Sequence, residues 1–129
     1  MIVTAWNNGK NNPSGSGYGF KVDIKDRDIY FNKDWKNVYL ELEGAEGEVA
    51  VNINKKSFWT PKCRELISKD VGNWLIKNKK APWPRGHPPK VKMEYISNNR
   101  FKVKFIKTDL YRTMGTFVQS VLGSIKNKQ

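Results

Sequence analysis

Among the 129 residues, Cys63 and His87 are the only cysteine and the only histidine. They therefore bound what thiol and imidazole chemistry the chain can do. Read as the third residue of a helix, between Lys62 and Arg64, Cys63 sits where a helix N-terminus and nearby cations lower a thiol pKa. A nucleophile also needs a base, and His87 is the one histidine that could serve. Nothing in the spacing joins the two, so a buried or incidental thiol is the reading. One cysteine and one histidine do not make a zinc site. Asp23, Asp26 and Asp28, with Glu41 or Glu43, are the carboxylates that a metal-dependent nuclease would need. Such a site wants them converging with a lysine on adjacent strands, and no Glu-x-Lys element follows. Gly15, Gly17 and Gly19 alternate without a Gly-Lys-Ser/Thr, so the phosphate loop of nucleotide hydrolases is excluded on spacing. The sequence points to a protein that is not an enzyme and uses no cofactor or metal. A small nuclease is the third-ranked alternative.

Charge is the stronger signal. Residues 1–54 hold six Lys and Arg against eight Asp and Glu, while residues 55–129 hold eighteen against four, within a formal net charge of +12. A basic half of this kind favours polyanions. Lys90, Lys92, Arg100, Lys102 and Lys104 recur two apart along two expected strands, with Glu94 the one acid among them. Lysines at that spacing form a ridge, and two paired strands make a patch; each phosphate it neutralises releases counterions. Lysine on an exposed edge strand also blocks sheet-to-sheet aggregation, which is the structural alternative. Lys55, Lys56, Lys79, Lys80 and Arg85 extend the patch if their loops flank the hairpin. Phe58, Trp59 and Trp83 interleave with these cations and could stack on bases. Most of the tryptophans read as core, with Trp83 the one expected to be partly exposed.

Period-two alternation defines the elements that carry these residues. Ile2 to Trp6 reads as a first strand, followed by a turn-rich loop over residues 7–17. Tyr18, Phe20, Val22 and Ile24 alternate as a strand, with a turn at residues 25–28 and a short strand at residues 29–31. Trp35 is expected against the core from a polar loop. Residues 38–43 and 48–53 form a hairpin whose outer face is acidic. Thr60 as N-cap and Pro61 at the first position start a central helix over about residues 61–78. Within it Glu65 and Lys69 form an i, i+4 pair, and Gly72 marks a close approach or a break. Residues 81–89, with four prolines, form a stiff loop presenting Trp83, Arg85 and His87. A second hairpin spans residues 90–105. A last helix, about 109–126, carries the apolar stripe Leu110, Met114, Phe117, Val118, Val121, Leu122 and Ile125, which could cover the sheet or pair with another copy.

The length suits one domain, residues 1–129. No basic segment leading into a long apolar run opens the chain, and no window approaches the ~20 apolar residues of a spanning helix. A cytoplasmic protein without membrane contact is expected. The fold class is α+β: a small, open or barrel-like, mostly antiparallel sheet with a central and a C-terminal helix. Strands, then a helix holding Gly72 and Trp74, then a Gly/Pro-rich loop (Gly86 to Pro89), then a closing hairpin resemble the DNA-binding pseudobarrel of plant transcription factors and of restriction-endonuclease effector domains. The resemblance covers about residues 36–106. Asn73 separates a Gly and a Trp that are usually adjacent in that family. It implies an open barrel docking into the major groove by loops and strand edges, and names no base-reading residue. Double-stranded DNA binding is the expected function. The runner-up is a protein-interaction module, a homodimer through the C-terminal stripe, whose charge serves solubility.

Overall fold

The computed structural model describes residues 1–106. The expected C-terminal helix at about 109–126, its stripe and any homo-oligomer built on it lie outside the described residues. These residues form seven strands and two helices. They are β1 (Ile2–Asn7), β2 (Tyr18–Lys21), α1 (Ile24–Tyr30), β3 (Asn37–Leu42), β4 (Val49–Asn52), β5 (Glu65–Ile67), α2 (Lys69–Lys77), β6 (Lys90–Ser97) and β7 (Arg100–Phe105), with a single 3-10 turn at Lys56–Trp59. The sheet order is β4-β3-β7-β6-β1-β2-β5. It curls into a nearly closed barrel. Every pairing is antiparallel except β3 with β7, which run parallel.

Inward positions of successive strands fill the barrel. Val3, Phe20, Val38, Leu40, Leu66, Val91, Met93, Phe101 and Val103 are fully buried. Both expected hairpins form. Val38 lies opposite Val51 in the first, and Met93 opposite Val103 in the second. The helices leave the β2–β5 pair at opposite ends: α1 follows Lys21, whereas α2 follows Ile67, which pairs with Gly19. One helix therefore sits at each end of the barrel.

Two stretches differ from their sequence reading. Residues 24–30, expected as strand end, turn and strand, are helix α1. The Asp23 carboxylate caps it by accepting from the Lys25 N–H at 2.9 Å. The central helix begins eight residues later than the expected position 61 and covers Lys69–Lys77. Its cap is Ser68, whose hydroxyl accepts from the Asp70 and Val71 N–H groups. Glu65–Ile67 is strand β5 instead, paired to β2. Arg64 has φ of 101°, a left-handed backbone incompatible with a continuous helix. Glu65 consequently pairs with Lys21 at 3.5 Å rather than with Lys69. Cys63 lies ahead of β5 and not at a helix start, and it is a free, half-buried thiol. Gly72 does mark a close approach: a Cβ there would overlap the Gly15 carbonyl, so α2 lies directly on the β1–β2 loop.

Candidate nucleic-acid interface

The expected binding residues fall into three places. Lys90, Lys92, Arg100, Lys102 and Lys104 lie on β6 and β7, interior strands of the sheet, so protection of an exposed edge does not explain them. The parallel β3–β7 pairing sets the acidic strand beside the basic one: Glu41 is in register with Lys102 and Tyr39 with Arg100. Across β6–β7, Glu94 faces Lys102 and Lys92 faces Lys104. Glu94 accepts from Lys92 at 3.1 Å and from Lys104 at 3.3 Å. Those two bonds hold its carboxyl below the usual carboxylate range. Arg100 is paired to Glu48. A cavity at the α2 end of this face is lined by Glu41, Glu43 and Glu48 as well as Lys102 and Lys104. The ridge is real in position but laced with carboxylates.

Lys79, Lys80, Trp83 and Arg85 lie at the α2 end. Lys80 sits over the Phe105 ring at 5.4 Å, and Phe105 in turn stacks on Trp74 at 4.4 Å. Trp83 is half-buried, edge-on to Tyr18 at 5.7 Å, while Arg85 is exposed. His87 is exposed on the same loop and donates its backbone N–H to the Pro84 carbonyl at 2.9 Å.

Lys55 and Lys56 lie at the opposite, α1 end. Here the loop joining β4 to β5, the two edge strands, folds over α1. The buried Arg27 guanidinium donates to the Phe58 carbonyl at 2.9 Å and the Thr60 carbonyl at 2.8 Å, fixing the loop. The Trp59 indole N–H donates to the Ile53 carbonyl at 3.0 Å, and the Thr60 hydroxyl accepts from the Cys63 N–H at 3.1 Å. The result is a cavity of about 570 Å³ walled by Lys33, Asn54, Lys55, Lys56, Trp59, Thr60 and Pro61. Among the described residues, no carboxylate lines it. Arg27 and Lys33 lie over the Trp59 ring at 5.4 and 5.8 Å. Among the described residues, none of Lys33, Lys55 and Lys56 forms an ion pair. Burial lowers the Lys55 pKa, with Glu65 and Cys63 opposing the shift.

One wall residue of this cavity and the buried arginine that supports it were not evident from the sequence. Arg27 reads as a turn residue and Lys33 as part of a polar loop. The Asp23 cap was the one local sign of the helix that carries Arg27, and nothing local signals where Lys33 ends up. Among the described residues, no three His, Cys, Asp or Glu side chains converge as metal ligands. Asp23 caps α1, Asp28 pairs with Arg27 at 3.0 Å, and Glu43 accepts from the Phe105 N–H at 2.8 Å. No helix of the described residues is long and apolar enough to cross a membrane. Comparison with protein-family models, curated proteins and solved structures finds no match.

Proposed function

We propose that this protein binds nucleic acid, duplex DNA foremost, through the basic cavity around Trp59. One observation carries the reading: three lysines from two segments, one of them over the Trp59 ring, line a single cavity with no carboxylate among its described walls. Clustered lysines that form no ion pair favour a polyanion, and phosphates would supply the balancing charge. The cavity lies on the connection between the two edge strands. That placement accords with the resemblance to a DNA-binding pseudobarrel, which implies docking by loops and strand edges. Lys90, Lys92, Arg100, Lys102 and Lys104 serve in this reading as a flanking field, attenuated by Glu41, Glu94 and Glu48. Lys79, Lys80, Trp83 and Arg85 form a separate basic edge at the far end.

Fluorescence anisotropy of a labelled blunt duplex across a salt series tests the reading. Binding with a steep salt slope, weakened by Lys55→Glu with Lys56→Glu, supports it. Binding that is absent or insensitive to salt rejects it and favours a protein-interaction module, for which loss of self-association on truncation after Lys107 is the corresponding test.

A further inference from the structure

Beside the Trp59 cavity lies a second cleft of about 580 Å³, walled by Ile29, Tyr30, Phe31, Asn32, Lys33, Trp35 and Tyr95. Lys33 belongs to both, so the two adjoin. This second cleft is open and mostly aromatic, with Asn32 and Lys33 among its walls. Ile29 is 71% exposed and Tyr95 49%, the two most exposed large apolar side chains described. Beneath them runs an aromatic array: Trp35 packs on Phe31 at 6.5 Å, Phe31 on Phe58 at 5.4 Å, and Phe58 on Trp59 at 5.2 Å. Phe31 also stacks on Phe101 at 4.9 Å, and Phe101 meets Tyr95 at 5.6 Å. The buried Phe31, Phe58 and Phe101 rings thus fix three partly exposed rings, Trp35, Tyr95 and Trp59, in one rigid frame.

We infer that this combined surface takes unpaired nucleotides: a single-stranded stretch whose phosphates meet Lys33, Lys55 and Lys56 while its bases stack in the Tyr30–Trp35–Tyr95 cleft. The inference rests on the nucleic-acid reading and narrows it. Charge complementarity selects the occupant. A ligand suited to both clefts is anionic at one side and has planar, stacking rings at the other, and aromatic platforms beside a cationic track are how single strands are held without sequence preference. Paired bases in a duplex have both faces covered and would leave Ile29 and Tyr95 in water.

The test uses the full chain with a short blunt duplex, the same duplex carrying a thymidine overhang, and the thymidine oligomer alone. The overhang is expected to bind about tenfold tighter than the blunt duplex. Tyr30→Ala with Tyr95→Ala should abolish that gain and leave blunt-duplex affinity in place. Tyr95→Leu, which keeps the packing on Phe101, should remove part of the gain even if the double variant folds poorly. Binding of the oligomer alone, lost in the same variants, also supports the inference. Equal affinity for blunt and overhanging duplex, or a gain that survives in the variants, overturns it while duplex binding stands. Absence of binding to all three probes overturns both readings and leaves the cleft as a protein-docking surface.

Discussion

The β6–β7 face and the α1-end cavity are both rich in lysine, yet they are electrostatically different objects. On the sheet face, neighbouring strands bring carboxylates into register with the cations, and Glu94 alone bonds to two lysines. Around Trp59 the cations converge from the β4–β5 loop and the segment after α1, with no carboxylate among the walls. Counting basic residues along a strand would rank the first above the second. Charge density in space ranks them the other way, because a cation already paired has less to gain from a phosphate.

The comparison breaks most severely if the support beneath the cavity is removed. Arg27→Met leaves the Phe58 and Thr60 carbonyls without their donor; unsatisfied buried groups cost roughly 1–3 kcal/mol each. Chemical denaturation should show a loss of about 3 kcal/mol, and anisotropy should show binding reduced well beyond that of any single lysine variant. Next in size, Lys33→Glu, Lys55→Glu and Lys56→Glu together should weaken duplex binding by about a hundredfold or more and flatten the salt slope by about three contacts. The matching triple change at Lys92, Lys102 and Lys104 should cost about tenfold or less.

A pH titration sharpens the contrast. Because burial lowers the Lys55 pKa, Lys55 loses its proton below the usual lysine value as pH rises. Duplex affinity should therefore begin to fall below the ordinary lysine range, and Lys55→Arg, which stays protonated, should move that fall to higher pH. The smallest effect belongs to Glu94→Gln. The depressed Glu94 carboxyl contributes stability above its unfolded pKa, and this is lost as pH falls through the folded value. The variant should slightly flatten the acid limb of the stability curve. It should also raise duplex affinity by a small factor, by releasing Lys92 and Lys104.

Local pattern made both hairpins legible, since Val38 to Leu42 and Val91 to Met93 alternate cleanly, and Gly72 stood out inside an apolar helical stripe. What failed depended on partners distant in sequence. Glu65–Ile67 is too short for its periodicity to separate strand from helix, and only pairing with Phe20 and Gly19 makes it β5. Residues 24–30 have strand-like residues at both ends, and the deciding feature was a single cap, Asp23. The parallel β3–β7 pairing joins segments about sixty residues apart in register, Leu40 with Phe101, and no local signal encodes it. That same pairing is what neutralises the basic ridge. Lys55 and Lys56 were identified from charge, but their companions Lys33 and Arg27 were not, because the fold and not the sequence makes them neighbours.

The most direct test of the account is duplex binding by the two lysine triples, compared side by side over one salt series. Reversing Lys33, Lys55 and Lys56 is expected to abolish most of the affinity and salt dependence, while reversing Lys92, Lys102 and Lys104 leaves most of both. Equal losses, or a larger loss from the sheet-face triple, would contradict it.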